Sequence, residues 1–272
     1  MPSVLPRSPV TPAAIDAAPR PVVAWTVSEY PRDRQRVAIP QVEAQIVVRF
    51  GPTLPDGVDV HAVGPRTQVQ RKFIRGGQRA VLARLRPGTY EAALSISATE
   101  LPSTPVPLDA LWGPAAVHRL REQLADAADT QAAGAMLEAA VSARAARQPT
   151  LDVAPAFLPA ALDRLQVASL SQVVRELGIS ERHLRRVLHD TLGLSPKTYA
   201  RLKRFAQAVR VAQSTDTVNW SAIAADTGYY DQAHLIAEFH AIAGNTPRAL
   251  LAELREADAD AADRRPDVLP LP

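Results

Sequence analysis

The chain has 272 residues and a formal net charge of +3, and this length suggests two domains. It contains no cysteine, which excludes disulfides, thiolate zinc sites and cysteine nucleophiles and fits a reducing compartment. No stretch is apolar enough to predict a membrane span, and the proline-containing segment 1–18 lacks the apolar run of a signal peptide or an anchor. We therefore expect a cytoplasmic protein with no membrane partner.

Alternating polar and apolar residues predict short strands in the N-terminal half. Such stretches occur at 45–50, 58–60, 67–70 and 80–85, and turns rich in glycine and proline separate them. The Arg86-Pro87-Gly88 turn should lead into a short helix. After Gly113 the apolar spacing becomes helical, with inward-facing positions at Val117, Leu120, Leu124, Met136, Leu137, Ala140 and Val141. These later helices would either pack on their own sheet or form a dimerisation face.

The aromatic residues of this half are open to two interpretations. They could line a ligand cavity or simply form the core, and aromatic side chains more often do the latter; they are Trp25, Tyr30, Phe50, Phe73, Tyr90 and Trp112. His61 and His118 are too few and too distant in sequence to predict a metal site. The half also has no nucleophile motif and no phosphate loop. We expect no catalytic residue, no metal and no cofactor.

The segment 169–193 has the pattern of a helix-turn-helix unit. Ser169 and Ser180 are each placed to cap a helix, and Gly178 and Gly193 are each placed to end one. Apolar residues within both helices are spaced to face inward. The outward face of the second helix is basic, with Arg182, His183, Arg185 and Arg186. This helix is therefore a candidate reader of DNA.

The chain then repeats the unit. Five positions recur at one offset of 51 residues: Leu184, Leu188, Gly193, Ser195 and Pro196 return as Leu235, Phe239, Gly244, Thr246 and Pro247. A basic helix of about 17 residues that starts at Ser195-Pro196 would join the two units and span about 25 Å. That length is compatible with two reading helices in successive major grooves, about 34 Å apart.

The two units differ in charge. Residues 164–210 contain ten basic and three acidic side chains, a net charge of +7. Residues 211–255 contain two basic and five acidic side chains, a net charge of −3. Because phosphate neutralisation supplies much of the affinity for DNA, the first unit should dominate binding.

The second half resembles the AraC/XylS transcriptional regulators over residues 160–255. The resemblance rests on Leu177-Gly178-Ile179-Ser180, Ser195-Pro196, Gly228-Tyr229, Asp231-Gln232-Ala233-His234-Leu235 and Gly244-Asn245-Thr246-Pro247. It implies a bacterial transcription factor that binds double-stranded DNA with sequence specificity. The DNA-binding residues that we expect are Ser180, Arg182, His183, Arg185, Arg186, Lys197, Arg201, Gln232, Ala233 and His234. Where the family pattern usually has an arginine on the second reading helix, this chain has Ala237, so we expect weak base reading there.

The N-terminal half resembles the cupin-like sensory domain that precedes some AraC-type units. The resemblance rests on three short motifs: Val63-Gly64-Pro65-Arg66-Thr67, Arg86-Pro87-Gly88 and Val106-Pro107-Leu108-Asp109-Ala110-Leu111-Trp112-Gly113. It implies a module that responds to a small-molecule effector or dimerises the protein.

The predicted fold class is α+β, with a β-rich (cupin-like) N-terminal domain and an all-α bipartite helix-turn-helix domain. We place the first at 20–148, the second at 155–255 and a disordered tail at 256–272, and expect the second domain to fold alone. The predicted function is an effector-responsive, sequence-specific transcriptional regulator rather than an enzyme. RNA polymerase and a second copy of the chain are further partners. Two rivals remain: a small-molecule-modifying enzyme fused to a DNA-binding unit, and tandem helices that bind another protein. The arginines could instead form a solvated face, although their place just after a helix-turn-helix corner favours DNA contact, and His234 could equally be structural.

Overall fold

The computed structural model describes residues 20–148, 154–259 and 268–270. The strands are β1 (Val22–Tyr30), β2 (Arg34–Ala38), β3 (Gln45–Phe50), β4 (Val58–Val63), β5 (Gln70–Ile74), β6 (Gln78–Leu85), β7 (Val106–Pro107) and β8 (Val268–Pro270). The helices are α1 (Tyr90–Leu94), α2 (Leu108–Trp112), α3 (Pro114–Ala125), α4 (Thr130–Ala145), α5 (Leu158–Arg164), α6 (Leu170–Leu177), α7 (Glu181–Leu192), α8 (Pro196–Gln213), α9 (Trp220–Asp226), α10 (Gln232–Ala243) and α11 (Pro247–Ala259).

The predicted α+β class is confirmed: antiparallel strands dominate the N-terminal part and helices the C-terminal part. One sheet has the order β7-β4-β3-β6-β1-β8, and β2 pairs with β5 in a second, two-stranded sheet. The strand expected at 67–70 is wrong, because pairing with β2 begins only at Gln70 and Arg66 instead forms an isolated bridge with Gln41. Strands β1 and β2 were not predicted at all.

The six-stranded sheet buries a different layer on each face. Along β3, Ile46 and Val48 point into the main core, whereas Val47 belongs to a second, smaller cluster on the opposite face. This is the period-two alternation of a strand that is covered on both sides. Helix α4 covers the first face so closely that Gly134 lies directly against the Trp25 ring. The small sheet lies over the second face, with a cavity between the two sheets.

Most of the aromatic residues are core, as the commoner interpretation predicted. Trp25, Phe50 and Tyr90 are buried in the main core. Tyr30 is also buried, but it lines the cavity. Phe73 is the exception, since its side chain is 68% exposed on the outer face of β5. Among the helical positions, Met136 is also exposed rather than inward-facing.

The C-terminal end differs from the expected disordered tail. Helix α11 continues to Ala259, and residues 268–270 add a strand beside β1. The remaining tail residues, 260–267 and 271–272, lie outside the described part of the chain, as does the 149–153 boundary region between the two predicted domains. Within the described ranges, no helix has both the length and the apolar character needed to cross a membrane.

The two halves of the chain share one apolar core and several polar contacts. A single cluster of buried residues runs from Ile46 in the sheet to Leu250 in α11. Arg71 on β5 donates two hydrogen bonds to the Glu253 carboxylate, at 2.7 and 3.1 Å, and Lys203 on α8 lies 3.6 Å from Glu43. The side chain of Arg34 donates to the Ala257 carbonyl. The sequence had not predicted contacts of this extent between the halves.

The Arg71 and Glu253 pair allows a test of this interface. The hydrogen bond from Arg71 is the main cause that lowers the pKa of Glu253, so the pair should stabilise the fold above the ordinary glutamate pKa and lose that effect as the pH falls through the lowered value. A double-mutant cycle with Arg71→Ala and Glu253→Ala should give a coupling of about 0.5–1 kcal/mol in the free energy of unfolding at pH 7. A control cycle that pairs Arg71→Ala with Glu256→Ala, at an exposed position of α11, should give no coupling. Equal coupling in both cycles, or no acid sensitivity, would contradict the assignment.

Candidate nucleic-acid interface

Helices α7 and α10 have the same construction. Each has 12 residues and follows a capping side chain: Ser180 Oγ accepts from the His183 amide at 3.1 Å, and Asp231 Oδ1 accepts from the His234 amide at 2.7 Å. Each ends at a glycine with positive φ, where a side chain would be strained. The offset of 51 therefore holds from cap to cap, and the sequence repeat is a structural one.

The C-terminal ends of both helices contact the N-terminal domain through equivalent atoms. The last carbonyls of a helix have no partner within it. The Thr191 carbonyl accepts from the Gly88 amide at 3.2 Å, and the Ile242 carbonyl, 51 residues later, accepts from the Val69 amide at 2.9 Å. Arg71 adds a 3.1 Å hydrogen bond to the next carbonyl, that of Ala243. The N-terminal domain thus contacts both α7 and α10 at the ends opposite their caps.

The outward face of α7 carries three exposed arginines, and their side chains differ in the contacts that they make. Arg185 bonds to Glu181 at 2.7 Å, and Arg186 contacts His183 Nδ1 at 3.2 Å and lies 4.0 Å from Asp190. Arg182 makes no ion pair or hydrogen bond with its side chain within the described residues. Its position near the capped end leaves its guanidinium free to bind an incoming base or phosphate.

His183 contributes less to this exposed face than the sequence suggested. It is half-buried, and its ring lies 5.4 Å from that of Phe157. Ser180 uses its hydroxyl for the cap. The structure therefore brings the three arginines together on the surface and holds Ser180 and His183 at the helix start.

The equivalent face of α10 carries no cation. At the 51-residue offset, Ala233 takes the place of Arg182 and Ala237 that of Arg186. Gln232 is exposed and accepts a hydrogen bond from Ser221. His234 is half-buried, accepts from the Tyr230 amide at 3.3 Å and stacks edge-on against Tyr229. That arrangement favours the structural role for His234.

The basic helix α8 directs most of its predicted charge inward. Arg201 bonds to Glu238 of α10 at 2.7 Å, and Arg204 lies over the Tyr229 ring. Lys203 lies between Glu43 and the Tyr199 ring. Of the two α8 residues expected to bind DNA, Lys197 is exposed and Arg201 is engaged with the second unit. Helix α8 therefore joins the units more than it presents cations.

The sequence did not single out one exposed residue beside α10. Tyr230 precedes the cap of α10, and its side chain is 92% exposed, whereas neighbouring Tyr229 is buried. The signal was available in the Gly228-Tyr229-Tyr230-Asp231 order, because one of two adjacent tyrosines in a tight turn must face away from the core.

Comparison with known families supports this geometry. Residues 173–253 match the family model described as a helix-turn-helix domain. This segment is a helix-turn-helix domain of the AraC type. The match begins in α6 and ends in α11, so it covers α7, α10 and the α8 connector. A comparison with curated protein sequences found no match.

The comparison with solved structures found matches of low identity, and the three that follow all have TM-scores below 0.5. The 1.65 Å structure of ToxT from Vibrio cholerae has a TM-score of 0.46 at 8% identity, over 85% of this chain and 98% of that one. ToxT from strain O395 has a TM-score of 0.42 at 9% identity, over 85% and 97%. The AraC-like transcriptional activator CuxR has a TM-score of 0.19 at 15% identity, over 69% and 68%.

The free guanidinium of Arg182 gives a direct test of the AraC-type domain. Arg182→Ala should cost about 1–3 kcal/mol at a specific site if the side chain reads guanine, and should relax base preference at one position. The measurement is a titration of specific and random duplexes at fixed salt, with Arg119→Ala on α3 as the control for net charge. Equal losses on both duplexes would indicate a phosphate contact. No loss on either would show that α7 is not the reader.

Proposed function

We propose that this protein is a sequence-specific DNA-binding transcriptional regulator. The observation that carries the proposal is the pair of equivalent reading helices within an AraC-type domain, of which α7 exposes Arg182, Arg185 and Arg186. An exposed arginine face just after a helix-turn-helix corner suits the major groove, where arginine pairs with guanine. Genomic footprinting with the full chain tests the proposal, and the absence of salt-sensitive, localised protection would overturn it.

The proposed organisation has a sensory part at 20–148 and a DNA-binding part at 155–255. The two backbone hydrogen bonds from Gly88 and Val69 to the reading helices support a control role for the sensory part, because any shift of that part would move α7 and α10. Footprinting with and without small metabolites would detect the effector response. The protein acts in the cytoplasm and is not an enzyme. RNA polymerase and a second copy of the chain remain proposed partners.

The two units should read DNA unequally. We assign base recognition to the first unit, with Arg182, Arg185 and Arg186 as the main contacts and Lys197 on the phosphates. In the second unit, Gln232, Ala233 and His234 help to position the protein on the DNA more than they contribute to its binding affinity. Arg201 contributes through its ion pair with Glu238, which joins α8 to α10, and not through a contact with DNA. Helix α8 has 18 residues and spans about 27 Å. This length suits two reading helices that enter successive major grooves on one face of the duplex.

Restoring a cation to α10 tests this asymmetry. Ala237→Arg places an arginine at the position equivalent to Arg186, so it should tighten binding and steepen the salt dependence by about one released counterion. Equilibrium titrations over a range of salt concentrations measure both effects. Ala135→Arg, which adds the same charge on an exposed position of α4, should change neither.

Selection of binding sites from random DNA provides an independent test. The proposal predicts one sharp element under α7 and a weak one under α10. Two equally sharp elements about one helical turn apart would contradict it, because Gln232 and His234 would then read bases as well as the arginines do.

A further inference from the structure

The cavity between the two sheets is lined by both apolar and basic side chains. The six-stranded sheet contributes Val47, Val63, Leu82 and Tyr30, and the small sheet contributes Ala38 and Ile74. Basic side chains also line the cavity; they are Arg36, Arg49, Arg66, Lys72 and Arg79. Its volume is about 110 Å³.

Two of these five cations have other partners. Arg49 donates two hydrogen bonds to Asp59, at 2.9 and 2.7 Å, and His61 contacts the same carboxylate at 3.0 Å. The His61 hydrogen bond, followed by Arg49, lowers the pKa of Asp59 to about 2 although burial opposes the shift. The Asp59 carboxylate is therefore ionised and already engaged by these two residues. Arg79 is exposed and lies over the Phe50 ring.

The other three, Arg36, Arg66 and Lys72, have no carboxylate partner within the described residues. Arg36 and Lys72 stand directly opposite each other on β2 and β5, where like charges destabilise a strand pair. Burial and the neighbouring arginines lower the pKa of Lys72, and burial and then Arg36 lower that of Arg66. The buried Nε of Arg66 has no hydrogen-bond partner, although two hydrogen bonds to Gln41 hold its backbone.

A partly buried group of three unneutralised cations is costly unless a counter-ion occupies the site. Guanidinium groups fit carboxylate and phosphate oxygens with paired hydrogen bonds. The volume limits the occupant, since a dry cavity of about 150 Å³ holds a benzene-sized molecule. The apolar lining residues would contact a short carbon skeleton.

We propose that this cavity binds a small oxyanion with two negative charges, held by Arg36, Arg66 and Lys72, and that this anion is the effector. The inference rests on the proposed effector-responsive function. Lys72 faces the cavity, and the next residue, Arg71, contacts Glu253 and the end of α10. An anion between the sheets would therefore act one residue away from the second reading unit.

Thermal unfolding of the full chain with defined probes tests the site. Succinate and inorganic phosphate are the dianionic probes, and succinamide is the uncharged match for succinate, all at constant ionic strength and chloride. A ligand that binds only the folded state raises the Tm in a saturable way. We expect succinate, phosphate or both to do so and succinamide to have no effect. A response to succinate alone identifies a dicarboxylate, and a response to phosphate alone identifies a phosphate group.

Variants connect the response to the three cations. Lys72→Met and Arg66→Met should weaken the apparent affinity at least about tenfold, whereas Arg119→Met, far along the chain on α3, should leave it unchanged. Without a probe, Lys72→Met should not melt below the parent protein, because it removes a repelled charge. If either methionine variant fails to fold by circular dichroism, Arg36→Gln replaces it. No saturable shift, an equal shift with succinamide, or parent affinity in the variants would overturn the proposal.

A parallel DNA titration separates this inference from the proposed function. DNA binding that is intact while no anion binds overturns only the cavity proposal. If the protein binds the anion saturably but never binds DNA, the proposed regulator function is overturned and the anion site still stands. DNA affinity that is unchanged by a saturating anion overturns its role as the effector.

Discussion

The carbonyls at the C-terminal ends of α7 and α10 constrain how the two halves of the molecule are held together. A helix leaves its last carbonyls without internal partners, and here the N-terminal domain supplies amides to Thr191 and Ile242. Because these two positions are equivalent in the repeat, one sheet domain contacts both helices at the same point. The shared apolar core and the Arg71 to Glu253 pair strengthen the same interface. Relative movement of the halves therefore requires the loss of several directional contacts together.

Charge is distributed less simply than the net values of the two units suggest. Much of the excess on the first unit is used inside the protein, where Arg201 joins α8 to α10 and Lys203 approaches Glu43. The cations that remain available to a phosphate or base are concentrated on α7, above all Arg182. The repeat thus preserves the fold of the second unit, while alanine at positions 233 and 237 removes the charge from its surface.

The small β2–β5 sheet contributes to two different environments. Its inner side chains, Arg36 and Lys72, face the cavity, and Arg71 reaches α11. Alternation along a strand places neighbouring residues on opposite faces, so two residues are enough to join the cavity to the helix interface. Neither environment neutralises the inner pair, which is why its charge points to an external anion.

The sequence by itself determined the C-terminal architecture, because caps, glycine stops and apolar spacing are local signals and the 51-residue repeat gave them twice. It also located the arginine face of α7. Only the tertiary structure decided which cations are free, since Glu238, Glu43 and Tyr229 are distant in sequence from the α8 residues that they contact. Strands β1 and β2, the cation cavity and the carbonyl contacts of Thr191 and Ile242 were likewise beyond prediction. Each depends on pairing between segments far apart in the chain, and no local pattern of residues encodes such a partner.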